Sequence, residues 1–126
     1  MKPSDLLGAW NFVGCTRYTE GAAPDQPLGP HPTGLILYTP DGMMAAFIQR
    51  DPALPGDGSP LAAYAGRWEM EGDMVRHHVR FNTEADRAGQ TLIRRARFEG
   101  KTLVLQTEKK TGKRGLSWMD FSWARP

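Results

Sequence analysis

Proline and glycine set the tightest limit on what this chain can become. Ten prolines and fourteen glycines are spread along 126 residues, and each interrupts a helix or reverses the chain. The pieces between them are short. They alternate apolar and polar residues or are rich in β-branched and aromatic side chains, the signature of strands. We read strands over 9–18, 33–39, 43–50, 62–70, 74–82, 90–98, 102–108 and 115–125, separated by turn signals at meander spacing. The expected fold is therefore all-β: a closed antiparallel barrel of eight strands (up to ten), spanning 1–126 as a single domain. Longer connections run from Pro24 to Pro32 and from Asp51 to Pro60, and a short helical turn is expected at Ser4-Asp5-Leu6-Leu7, capped by Ser4 or Asp5.

Tight turns fix registers, and registers fix which side chains point inward. A two-residue Gly72-Asp73 turn pairs Glu71 with Met74 and Met70 with Val75. Continuing outward, it sets Trp68 opposite His77, Gly66 opposite Val79 and Tyr64 opposite Phe81. That face is apolar except for His77, and the other face offers a salt bridge between Glu69 and Arg76. A Gly100-Lys101 turn pairs Phe98 with Leu103, Ala96 with Leu105 and Arg94 with Thr107. It leaves Arg95, Arg97, Val104 and Gln106 on a mostly wet face. Arg94 thus falls at an otherwise apolar inward position, where a charge needs a partner or a function. The Thr39-Pro40-Asp41-Gly42 turn suits a type I turn with a left-handed Gly42 bulge, pairing Tyr38 with Met44 and Ile36 with Ala46. A plain two-residue turn would swap one face there, and both faces are apolar, so periodicity leaves this register open.

Composition excludes several classes. The formal net charge of +2 gives no global field for nucleic acid. The single cysteine, Cys15, excludes an internal disulfide. The first residues lack the apolar run of a signal peptide, and no segment is long enough to span a bilayer, so a cytoplasmic location is expected.

In order and spacing, several segments resemble the bacterial lipocalin-like domains, part of the wider calycin barrels. They are Leu7-Gly8-Ala9-Trp10, Leu28-Gly29-Pro30, the stretch from Gly34 to Gly42 with its Tyr-Thr-Pro-Asp-Gly turn, Tyr64-Ala65-Gly66-Arg67-Trp68, His77-His78 and Trp123-Ala124-Arg125. The resemblance spans nearly the whole chain. It implies an eight- to ten-stranded antiparallel barrel closed at one end, with Trp10 as a plug beneath Arg125. It also implies a less covered mouth, because the segment before Tyr64 is shorter here than in relatives. It implies little about chemistry, since such barrels include carriers and a few enzymes.

The candidate site is built on the inward faces. His77 shares its face with Trp68 and Arg94 and is expected to titrate near neutral pH. Arg94 calls for a carboxylate, phosphate or enolate-like oxygen; Glu20, Asp41, Glu84 and Asp120 are the internal candidates, none placed by register. Two functions follow. The first is a barrel holding a small, mainly apolar molecule with an anionic or carbonyl end, walled by Tyr38, Met44, Tyr64 and Trp68 and gripped by His77 and Arg94. The alternative is a small cofactor-free enzyme of isomerase, cyclase or lyase type on the same cavity. His77 would be its general acid or base and Arg94 its oxyanion stabiliser.

No metal or cofactor is expected. Neighbours His77 and His78 point to opposite faces of a strand, His31 lies alone in a proline-rich loop, and no glycine-rich phosphate loop joins a strand to a helix. Cys15, on the parity of Asn11 and Val13, is not brought to His77. The basic run Lys109-Lys110-Thr111-Gly112-Lys113-Arg114 reads as a solvated hairpin tip. The expected partner is a small apolar or amphipathic molecule, with no nucleic acid and no membrane; a homodimer is compatible with the sequence.

Overall fold

The computed structural model describes residues 1–56 and 60–126; residues 57–59 of the connection before Tyr64 lie outside the described residues. Nine strands follow in order: β1 (Gly8–Thr19), β2 (Thr33–Tyr38), β3 (Met43–Gln49), β4 (Ala62–Glu71), β5 (Met74–Asn82), β6 (Thr91–Glu99), β7 (Thr102–Thr107), β8 (Lys110–Gly112) and β9 (Gly115–Ala124). All pairings are antiparallel. β1 through β7 pair in sequence, β7 pairs with β9, and β9 pairs back with β1. Eight strands thus close a barrel that has no free edge of its own. The short β8 is additional: it folds back on β9 and forms the basic hairpin tip. Among the described residues, no helix is long and apolar enough to cross a membrane.

The turns set the registers, including the one at Thr39–Gly42 that periodicity leaves open. Tyr38 pairs with Met44 and Ile36 with Ala46. Gly42 sits at φ +88°, its amide donates to the Thr39 carbonyl (3.1 Å), and the Thr39 amide donates to the Met43 carbonyl (2.8 Å). This is the type I turn with a left-handed bulge. Trp68 faces His77 across β4 and β5, and Arg94 faces Thr107 across β6 and β7.

Two bulges depart from simple alternation. In β5, Gly66 pairs with Val79 but Ala65 pairs with Phe81, so Arg80 is an extra residue. Phe81, expected inward opposite Tyr64, is turned to solvent at 63% exposure, and Asn82 takes the inward place. The cause is a close approach of backbones: a Cβ on Gly66 would lie 1.9 Å from the His78 carbonyl oxygen. In β1, Phe12 pairs with Trp123 and Gly14 with Ser122, so Val13 is the extra residue. The parity argument for Cys15 therefore fails, and Cys15 is buried inside.

Smaller corrections have equally local reasons. Arg76 reaches Glu71 (3.6 Å) rather than Glu69, which pairs with His78 Nε2 (3.0 Å). Val104, expected on a wet face, is buried; on that outer face Arg97 and Gln106 close over Asp120, donating to its carboxylate at 2.7 and 2.9 Å. The N-terminal turn is a 3-10 turn over Pro3–Asp5, with Lys2 rather than Ser4 or Asp5 in the capping place. Asp5 instead accepts the Lys2 amide at 2.7 Å.

The core fills one end of the barrel. There the Trp10 indole donates to the Leu6 carbonyl (2.9 Å), and the Arg125 guanidinium lies 3.6 Å from the centre of the Trp10 ring. Arg125 also donates to the Ala9 and Asp5 carbonyls, so the cation seals the plug without a carboxylate. Asp51 ties the two long connections together. It accepts the His31 and Ala53 amides (3.0 and 2.9 Å), while its own amide donates to the Leu28 carbonyl. On the outside, Leu35, Leu37, Phe47 and Phe81 leave an apolar surface across neighbouring strands.

Candidate functional site

The other end of the barrel is hollow. A cavity of about 880 Å³ opens between the strands, with Thr83, Glu84, Arg87 and Lys110 at its mouth. Ile36, Ala46, Ile48, Leu92, Leu105 and Phe121 supply apolar wall, and Tyr64, His77, Arg94, Thr107, Met119 and Trp123 supply polar or polarisable groups. The inward faces of β1 through β7 and β9 generate this lining by period-2 alternation.

The structure brings three of the sequence candidates to the cavity wall: Tyr64, His77 and Arg94. Tyr38, Met44 and Trp68 instead belong to the packed core beside it. Trp68 makes an edge contact with Tyr38 (ring centres 4.9 Å apart), and its indole donates to the Thr39 carbonyl at 3.0 Å. These residues support the site; they do not face its contents.

His77 is held between two tyrosines. The Tyr38 hydroxyl lies 2.6 Å from Nε2, and the Tyr64 hydroxyl lies 2.9 Å from Nδ1. His77 is buried, and burial is the main reason its pKa falls to about 3, with the positive charge of Arg94 adding to the effect. The expectation of a histidine titrating near neutrality is therefore corrected: the imidazole stays neutral. Burial likewise pushes both tyrosine hydroxyls upward, Tyr38 well above its ordinary value.

A neutral imidazole has one donor and one acceptor, and hydrogen-bond accounting assigns them. The Tyr38 hydroxyl is buried, and among the described residues its hydrogen-bond partner is His77 Nε2. Its proton would be orphaned unless Nε2 accepts it. Nδ1 then carries the proton and donates to the Tyr64 oxygen. The Tyr64 proton is left unspent, on a side chain that lines the cavity. The chain Tyr38 to His77 to Tyr64 thus leaves a hydrogen-bond donor available to the interior.

Arg94 lies one step away. β5 and β6 pair His77 with Leu92 and Val75 with Arg94, so His77 and Arg94 are diagonal neighbours on one inner face. Among the described residues no ion pair includes Arg94; its guanidinium donates to the Ile93 carbonyl at 3.1 Å. Asp120, one candidate partner, is taken by Arg97. Another cation lining the cavity, Arg17, escaped the sequence reading because the Val13 bulge sets its parity. It is neutralised by Asp25, to which its Nε donates at 3.0 Å. That pairing lowers the Asp25 carboxyl and raises the guanidinium. Cys15 does not line the cavity, and burial pushes its thiol up to about 11, far from thiolate chemistry at neutral pH.

A closed antiparallel barrel plugged at one end and hollow at the other has the architecture of β-barrels with room for a small molecule inside. A family model described as a lipocalin-like domain matches residues 7–58, which carry β1, β2 and β3 with their turns. The match and the closed eight-stranded barrel together support a lipocalin-like family. No curated protein matches the sequence. The fold supports a binding protein.

Proposed function

We propose that this barrel binds a small, mainly apolar molecule carrying an anionic or carbonyl group, which it holds with Arg94 and the Tyr64 hydroxyl. The observation that carries the reading is Arg94: an inward guanidinium on a cavity wall with no carboxylate partner among the described residues. A charge half-removed from water without a counter-ion is costly, and a ligand anion would remove that cost. The apolar wall suits the rest of the ligand, and the Tyr64 proton suits a second oxygen of the same group.

The enzymatic alternative, with His77 exchanging protons with a substrate, is the weaker reading. Both ring nitrogens are spent on tyrosine hydroxyls, and the imidazole stays neutral down to about pH 3. His77 here is a positioning residue that fixes the direction of the Tyr64 hydroxyl.

Titration with anilinonaphthalene sulfonate, followed by fluorescence and by competition with dodecanoate, tests this. Arg94→Met should weaken both probes at least ~10-fold, or about 1.4 kcal/mol, and Tyr64→Phe by a smaller factor. Unchanged affinity in Arg94→Met would end the reading.

A further inference from the structure

The β8–β9 hairpin turns on two cations. Lys113 and Arg114 form its tip, and Gly112 and Gly115 pair on either side of them. Neighbouring like charges repel, so such a tip ordinarily spreads its side chains into water. Here both cations line a second hollow, of about 270 Å³, at the rim of the barrel. The flanking glycines leave it open: a Cβ on either would meet nothing within 4 Å. β1 and β9 supply the other wall. Thr19 pairs with Ser117, and Arg17, two residues along, shares the face of Thr19. The lining is rich in donors. Among the described residues no ion pair includes Lys113 or Arg114, and the Thr19 and Ser117 hydroxyls have no hydrogen-bond partner. Arg17 is held by Asp25, whose carboxyl also feels the charge of Arg114. The hollow thus gathers three cations against one carboxylate, beside two half-buried hydroxyls.

We propose that this hollow binds a phosphate group, free or as the head of a monoester. The proposal stands apart from the Arg94 reading above. A phosphate monoester carries about −1.5 to −2 charges at neutral pH and three strong acceptor oxygens. It matches both the surplus of positive charge and the number of donors. The guanidinium fork pairs with phosphate oxygens two at a time, the Lys113 ammonium serves as a point charge, and the hydroxyls donate to what remains. A carboxylate, with a single charge and two oxygens, would leave cations and hydroxyls unserved. Arg17 and Ser117 line the main cavity as well. The two hollows therefore adjoin, so a chain lying in the barrel can end in this one.

The test titrates the full chain with sodium phosphate, and in parallel with sodium chloride at matched ionic strength so that screening is common to both. The Gly112 and Gly115 amide shifts in nitrogen–proton NMR report binding, and calorimetry gives the affinity. Phosphate should shift both amides saturably, and chloride should not. The turn variant Lys113→Gln/Arg114→Gln should weaken phosphate at least ~10-fold and leave dodecanoate binding unchanged. Thr19→Val keeps every charge and should weaken phosphate severalfold, which separates a formed site from a diffuse field. Arg94→Met should leave phosphate binding unchanged whether or not it weakens dodecanoate, so the two readings fail separately. Dodecyl phosphate distinguishes the sources. If it binds tighter than inorganic phosphate and is weakened by the turn variant, the site takes a head group; otherwise the free ion is the ligand. The proposal is overturned by equal shifts with chloride, by the lack of a saturable shift, by phosphate affinity that survives the turn variant or Thr19→Val, or by its loss in Arg94→Met.

Discussion

Protonating His77 should cost this fold much of its stability. The imidazole is buried between two hydroxyls, and its pKa falls from 6.5 to about 3. The unfolded chain takes up a proton as pH drops through 6.5, whereas the folded protein refuses it until about 3. Stability contributed by His77 is therefore complete above 6.5 and is lost on acidification across that window. Each pH unit within it costs about 1.4 kcal/mol, so at about pH 4.5 the loss from this residue alone is roughly 3 kcal/mol. Carboxylates titrate in the same range, so the comparison must be internal. Denaturant melts of the wild type and of His77→Gln at about pH 7.5 and 4.5 isolate the histidine, because background carboxylates cancel in the difference. Glutamine can replace both hydrogen bonds in part, which keeps the variant folded. The wild type should lose roughly 3 kcal/mol more than His77→Gln on acidification. Equal losses in the two proteins would refute a neutral, tyrosine-bound His77 and restore a titrating histidine to the cavity.

Arg94→Met should leave the melting temperature unchanged or raise stability by up to about 1 kcal/mol, since it removes an unpaired, partly buried charge; a clear drop in a thermal melt would mean that Arg94 is structural. Gly66→Ala forces a methyl to within 1.9 Å of the His78 carbonyl oxygen and should destabilise by about 2 kcal/mol or more in denaturant melts. A neutral result would contradict the β5 bulge. Gly42→Ala places a side chain at φ +88° and should cost roughly 1 kcal/mol, whereas an unaltered midpoint would argue against the left-handed turn.

Much of the barrel is legible in the sequence because tight turns carry their own geometry. Gly72-Asp73 and Gly100-Lys101 set two hairpins, and counting outward from them places Trp68 against His77 and Arg94 against Thr107. Such counting fails at bulges. The bulges at Val13 and Arg80 arise from how two backbones meet, and neither residue announces it; Phe81 and Cys15 changed sides for that reason, and Arg17 went unread. Gly66 was the available signal, since a glycine within a strand marks a close backbone approach. The site was legible as a set of inward residues but not in depth. Tyr38 and Tyr64 look equivalent along their strands, yet only Tyr64 reaches the cavity. His77 is kept neutral by burial, with its ring held by hydroxyls from β2 and β4, a coincidence of three strands that no single hairpin reveals.

A crystal structure of the protein with dodecanoate shows where an anionic amphiphile sits. The alkyl chain should lie inside the barrel along Leu92, Leu105 and Phe121. The carboxylate should lie within hydrogen-bond distance of both the Arg94 guanidinium and the Tyr64 hydroxyl. A carboxylate lodged among the lysines and arginines of the β8–β9 hairpin, or an alkyl chain lying outside the barrel with Arg94 unengaged, would contradict it.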